Sequence, residues 1–158
     1  MESQDDQFAS LLPRLAQLNA VVNRGRVYER ATTEAGVSLE RPAMGALVLI
    51  ALADRPLRIG EIATRMQVAG PHATRQVQAL EQRGLVHRIA DPLDQRVRLI
   101  EPTAGGREVS ERYTRSVFGW FAEAMTDWSQ EDRQDLVRLL GRAVDDLTAK
   151  LADEDRPG

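Results

Sequence analysis

Apolar side chains recur at Leu11, Leu15, Leu18 and Val22, the three-and-four spacing of one helical face, and predict one amphipathic helix over about 8–30. Ala35-Gly36-Val37-Ser38 breaks the pattern. A second helix is expected over about 40–53, with Pro42 tolerated in its first turn. Met44, Leu47, Val48, Leu49, Ile50 and Leu52 make it apolar nearly all round, so it belongs in the middle of the fold. Asp54-Arg55-Pro56 ends it. A short third helix over 59–66 carries Ile59, Ile62, Ala63 and Met66 on one face, and Gln67-Val68-Ala69-Gly70 reads as a turn.

The helix that follows has Gly70 suited to the N-cap and Pro71 to the first helical position, where no amide hydrogen bond is lost. Ala73, Val77 and Leu80 face inward. Gly84 stands where a left-handed C-terminal cap belongs, with Leu85 as its hydrophobic contact. Two short strands are expected at 85–90 and 96–100. Their connection, Asp91-Pro92-Leu93-Asp94-Gln95-Arg96, is too long for a two-residue hairpin turn. After Gly105-Gly106, a long helix with Val109, Tyr113, Val117, Trp120, Ala124 and Trp128 in line should run to about 128. Ser129 with Asp132 approximates a capping box, and Leu136, Leu140, Ala143, Leu147 and Leu151 mark a last helix. The tail 152–158 should fray. No repeat or linker divides the chain, so one domain over 7–151 is expected, mainly α with a small β-hairpin wing.

Helix, turn, helix and then an arginine-bearing hairpin suit adjacent grooves of duplex DNA. The order describes a winged helix-turn-helix. The start of the second helix of such a pair lies closest to base edges, which singles out His72 as a donor or acceptor. Gln78, one and a half turns on, is a natural partner for adenine. The bland alternatives are a solvated His72 and a Gln78 that is ordinary surface. Arg88 and Arg98 are weaker candidates for phosphate contact.

Charge sharpens this picture. The net charge of -3 hides a segregation: between Arg55 and Ile100 stand eight arginines against Glu61, Glu81, Asp91 and Asp94. Only local charge, within about 8–10 Å of a phosphate, sets attraction to it. The 158-residue chain is long enough to bury a core. It has no apolar run of transmembrane length and an acidic N-terminus without a signal core, which gives a cytoplasmic expectation with no membrane partner. With no cysteine there is no disulfide, thiolate metal site or thiol-oxidation sensor.

The runs Arg58-Ile59-Gly60-Glu61-Ile62-Ala63, Thr74-Arg75-Gln76-Val77, Leu80-Glu81, Gly84-Leu85-Val86, Asp91-Pro92 and Asp94-Gln95-Arg96 resemble the MarR family of bacterial winged-helix regulators. Pro102-Thr103 departs from the family's usual Leu-Thr and should alter packing at the wing's end. The resemblance implies a homodimer on a pseudo-palindromic, double-stranded operator. Helices over about 8–30 and 104–151 would join the subunits, around a reading head over about 40–101. Trp120, Phe121 and Trp128 agree with this, since a monomer of this size would struggle to bury them all, although filling a monomer core is an equal alternative.

The resemblance also makes Thr74 and Arg75 a phosphate-contacting pair, with an Arg75–Glu81 ion pair as the alternative. It makes Arg96 the wing-tip arginine that enters the minor groove, where a narrow groove focuses negative potential. Asp94 would orient Arg96; a plain Asp94–Arg96 surface pair is the alternative. Relatives often respond to a small, frequently aromatic ligand, for which Tyr28, Met44 and Trp120 are weak candidates that core packing explains better.

The expected function is a sequence-specific transcriptional repressor. The alternatives are a metal-responsive regulator of the same fold and a helical adaptor that does not bind DNA. His72 and His87, both in the expected reading head, form no convincing ligand cluster and no nucleophile–base arrangement, so neither a metal, a cofactor nor an enzymatic activity is expected. Gly105-Gly106 lacks the rest of a phosphate-loop pattern.

Overall fold

The computed structural model describes residues 4–22 and 25–154. They fall into two compact units, one ending at Trp120 and one beginning at Phe121. In chain order the elements are α1 (Gln4–Val22), α2 (Gly25–Ala35), α3 (Arg41–Ala51), β1 (Leu57–Arg58), α4 (Ile59–Met66), α5 (Gly70–Gln82), β2 (Val86–Ala90), β3 (Arg98–Pro102), α6 (Ala104–Ala124) and α7 (Gln130–Glu154). The fold is mainly helical with a small antiparallel sheet, as the sequence predicts.

Several boundaries differ from expectation. The helix expected over 8–30 is described as α1 and α2 on either side of residues 23–24, which lie outside the described residues; α1 starts earlier, at Gln4, and α2 runs on to Ala35. Pro13 lies inside α1 and leaves the carbonyl four residues before it without its helical donor. The sheet has a third strand. β3 sits in the middle, paired with β2 (Val86↔Pro102 to Ala90↔Arg98) and with the two-residue β1 (Leu57↔Ile100, Arg58↔Leu99). The long helix stops at Ala124, so Trp128 lies in the connection to α7 rather than on a helical line. α7 continues to Glu154, beyond the expected end at Leu151; residues 155–158 of the expected tail lie outside the described residues.

The core sits in the head. Met44, Leu47 and Ile50 of α3 pack with Ile62 of α4, Val77 and Leu80 of α5, and Leu57 and Ile100 of the sheet, all essentially inaccessible to solvent. α3 is the central helix its apolar surface predicts, although Leu52, at its C-cap, is exposed. Burying an aliphatic side chain of this kind contributes roughly 1.5–3 kcal/mol.

Local chemistry sets the turns around the core. The α4–α5 turn is closed by Gln67, a non-glycine residue in the left-handed region (φ 55°), whose N–H reaches the Ala63 and Thr64 carbonyls. The N-cap of α5 is Ala69, one residue before the Gly70 expected, and Pro71 stays within the first turn, where its missing N–H costs nothing. Gly84 has φ 67°, and the bonds Leu85 N–H to Leu80 O (3.0 Å) and Gly84 N–H to Glu81 O (2.9 Å) complete the cap predicted there.

The stretch Pro102–Gly106 couples the wing to α6. Pro102 is buried. Thr103 donates its hydroxyl to the Gly84 carbonyl (2.7 Å) and its N–H to the Leu85 carbonyl (3.0 Å), and its hydroxyl oxygen accepts from Gly106 N–H (3.0 Å). A β-carbon on Gly106 would stand 1.9 Å from the Leu85 carbonyl oxygen, so this first turn of α6 lies against backbone that leaves no room for a side chain. Ser129 caps α7 as expected, accepting from Asp132 N–H at 3.0 Å and meeting the Asp132 carboxylate at 2.6 Å.

The outer helices contrast with the head. On α1, Leu11, Leu12, Leu15, Leu18 and Val22 are exposed. On α7, Val137, Leu139, Leu140, Val144, Leu147 and Leu151 are exposed as well.

Candidate nucleic-acid interface

The second helix of the helix-turn-helix is α5, and its faces divide by helical spacing. Ala73, Gln76, Val77 and Leu80 are buried, whereas Pro71, Arg75, Gln78 and Gln82 recur at i, i+4, i+7 and i+11 along the exposed side. Arg75 and Gln78 thus stand on one outward stripe. Neither has an ion pair or side-chain hydrogen bond among the described residues, and Arg75 does not pair with Glu81. Glu81 is taken by Arg88, whose Nε donates to both carboxylate oxygens at 2.9 and 3.0 Å. Arg88 is thereby a brace between the end of α5 and β2.

His72 is half-buried rather than freely solvated, and its Nε2 lies 3.4 Å from Nε2 of Gln76. Gln76 is a buried polar residue on the inward face, a position the sequence reading passed over. Thr74 donates its only hydroxyl proton to the Gly70 carbonyl at 3.0 Å, inside its own helix.

The wing is built from β2, β3 and the loop 91–97. Asp91 N–H donates to Val97 O (3.1 Å) and Val97 N–H to Asp94 O (2.9 Å), closing the loop at its base. Asp94 Oδ1 accepts from the backbone N–H of Arg96 at 3.0 Å. Asp94 therefore shapes the backbone beneath Arg96 rather than pairing with its guanidinium, which has no ion-pair partner among the described residues. Arg98 Nη1 donates to the Gln95 carbonyl at 3.0 Å and stiffens the same turn.

The wing carries one anchor that spacing along the chain does not reveal. Asp91 is only 6% exposed. Its Oδ1 accepts from Leu93 N–H at 2.9 Å and its Oδ2 from Arg58 Nη2 at 2.8 Å. Those bonds, the Leu93 amide first and the Arg58 guanidinium second, hold its pKa below the usual carboxylate range. Arg58 pairs with β3 through β1 and precedes α4, so this ion pair joins the wing loop to the start of the helix-turn-helix. Next to it, Glu61 accepts from Arg55 Nη2 (2.5 Å) and from Arg58 N–H (2.8 Å), which depresses its pKa to about 2. A carboxylate at the start of α4 also opposes the positive end of that helix.

The three residues singled out for a small ligand are packed. Met44 is a core side chain. Tyr28 donates its hydroxyl to the Leu39 carbonyl (2.5 Å), meets Tyr113 edge-on at 6.0 Å, and lies under Arg41 at 4.9 Å. Tyr28 also forms part of the wall of an open recess of about 440 Å³ with Thr32, Gly36, Ser38 and Leu39, a wall that includes neither Met44 nor Trp120. Trp120 is half-buried near the end of the first unit. Among the described residues, no group of three or more histidines and acids is placed to hold a metal ion, and His87 is instead paired across the sheet with Glu101 at 2.7 Å. No helix described is long and apolar enough to cross a membrane.

Residues 41–97, which run from α3 through the wing loop, match the model of the MarR family. The reading head therefore carries the pattern of a MarR-family domain. An uncharacterized HTH-type transcriptional regulator of Bacillus subtilis, YdgJ, is 28% identical to it over 134 residues, 85% of this chain and 77% of the relative. A MarR family protein from Bacillus stearothermophilus matches its fold with a TM-score of 0.75 at 21% identity, covering 92% of this chain and 99% of that one. A mutant of S. aureus MepR bound to an oligodeoxyribonucleotide matches at TM-score 0.56 and 20% identity, over 84% of this chain and 97% of that one. MepR bound to ethidium bromide matches at TM-score 0.58 and 19% identity, over 84% and 95%. These structures share the winged-helix fold with this chain, whose reading head matches the MarR family.

Proposed function

We propose that this chain is a homodimeric repressor of the MarR family that reads a pseudo-palindromic operator in double-stranded DNA. α5 enters the major groove, where Gln78 and His72 meet base edges and Arg75 meets phosphate, joined by Thr74 once its hydroxyl turns from Gly70. The wing follows the adjacent minor groove with Arg96 at its tip, while Arg88 and Arg98 line the path to it and Asp94 fixes the turn. The observation that carries this reading is the pair of outward cations, Arg75 on α5 and Arg96 on the wing, with no acid bound to either among the described residues. An arginine held out without a carboxylate leaves its guanidinium for phosphate oxygens or a groove.

Dimerisation falls to the outer helices, expected from sequence at 8–30 and 104–151, with the head at 40–101. The leucines exposed along α1 and α7 supply apolar surface for a two-fold interface. A two-fold pair of heads would sit about 34–36 Å apart, one turn of DNA. Bound across a promoter, the dimer blocks polymerase. A small aromatic effector would tune it by coupling, through the recess walled by Tyr28, whose wall does not include Met44 or Trp120.

Gel shift of the intergenic DNA beside its own gene tests this reading. A retarded band that fades as salt rises, formed by two chains per duplex, is the expected result. Protein that leaves every such fragment unshifted at low salt overturns the reading.

A further inference from the structure

Leu93 is 95% exposed at the tip of the wing. A single exposed leucine is ordinary; what sets this one apart is how firmly it is presented. Its own N–H is bound by Asp91 Oδ1 at 2.9 Å, and Asp91 is in turn tied to Arg58 at 2.8 Å, thirty-three positions earlier in the chain. Pro92 fixes one backbone angle immediately before it. On its far side, the two bonds accepted by Asp94, from Arg96 N–H and Val97 N–H, brace the loop again. The leucine thus projects from a turn braced on both flanks, three residues from the Arg96 guanidinium.

We propose that Leu93 is an apolar minor-groove contact of the wing, packing on the deoxyribose walls beside the inserted Arg96. The inference rests on the regulator reading above and assigns a new residue to it. A minor groove offers two surfaces, C–H edges of sugars and a negative potential between them. A braced leucine and an acid-free arginine on one loop match both, and proteins that bind this groove use aliphatic side chains there. The loop bears Arg96, and Arg98 follows at the start of β3, cations that complement the phosphates bordering the groove. The contribution of Leu93 is desolvation rather than charge, so it strengthens binding without releasing counterions.

The test uses the full-length protein and a duplex that the wild-type protein enriches from a randomised library, with affinity measured by fluorescence anisotropy over a salt series. Leu93→Asn should weaken binding about tenfold, the loss expected for partial exposure of an aliphatic side chain in each of two wings. Its plot of log affinity against log salt should run parallel to that of wild type, whereas Arg96→Ala should flatten the slope by about one for each wing. Leu93→Met should bind like wild type, and the thermal midpoint of Leu93→Asn should not move, because the side chain is already solvated in the free protein. Leu93→Asn binding as tightly as wild type, or losing affinity through a changed salt slope, overturns the inference while leaving the regulator reading intact. Enrichment of no duplex by the wild-type protein overturns both.

Discussion

The reading head and the outer helices are both rich in leucine, yet they treat it in opposite ways. In the head, Leu47, Leu57, Ile62, Leu80 and Ile100 are sealed from solvent by α3, α4, α5 and the sheet. On α1 and α7 the same kind of side chain is spaced just as regularly and remains exposed. Helical periodicity therefore states that a face is apolar, not what covers it. The head contains the partners of its own apolar faces, whereas those of α1 and α7 stay exposed in the single chain, where the proposed dimer would cover them.

The largest expected effect tests that contrast through stability. Leu47→Ala should cost about 2–5 kcal/mol in urea denaturation, the range for a buried leucine, with no dependence on protein concentration when a dissociated, dilute sample is compared with its own wild type. Leu140→Ala should destabilise chiefly in the associated state, so its cost should shrink on dilution. Equal costs for both substitutions at every concentration would erase the distinction between the two regions.

Next in size is Gly106→Ala. Its new β-carbon meets the Leu85 backbone, which cannot rotate aside, so a loss of about 1–3 kcal/mol is expected from overpacking, again by denaturation. Gly119, on the same helix with open space around it, should accept alanine with no penalty and serves as the control.

DNA reading comes next. Gln78→Ala should relax base preference at one position in each half-site, at about 1–3 kcal/mol, in a selection from randomised duplexes. The same consensus from both proteins would remove Gln78 from the base edges.

The smallest effect is on pH. Glu61 and Asp91 have lowered pKa values in the folded head, that of Glu61 about 2, so their contribution is present above the ordinary carboxylate range and declines as pH falls from there toward about 2. The Arg55–Glu61 pair is solvent-screened, which keeps this loss below the others. The head of Glu61→Gln should show a flatter stability profile across that window in thermal melts. A profile that matches wild type would show that the unfolded chain holds these carboxylates equally well.

The sequence made the head legible because local signals there agree with the packing. α4 carries the predicted bounds, and the Gly84 cap and the inward Ala73, Val77 and Leu80 are where spacing places them. β1 was not legible: two residues are too few for an alternating pattern, and only pairing with β3 makes them a strand. Trp128 fell in register with α6 by chance of spacing, with no glycine or proline after Ala124 to announce the helix end.

At the candidate interface, helical spacing pointed to Gln78, on the exposed side of α5, while Arg75 and Arg96 came from the family resemblance; their roles on DNA are proposals. The Arg58–Asp91 anchor was not legible, because its partners are far apart in the chain and meet only through the sheet. Buried Gln76 was missed for a related reason: a polar residue on an inward stripe reads as an error in the pattern until its neighbour His72 is seen beside it.

The central claim is that two copies of this head read one duplex. Sedimentation of the full-length protein, alone and with a labelled duplex from beside its own gene at low salt, tests it most directly. The account predicts a two-chain species that takes up one duplex and releases it as salt rises. A single-chain species that leaves the duplex free at every salt concentration would contradict it.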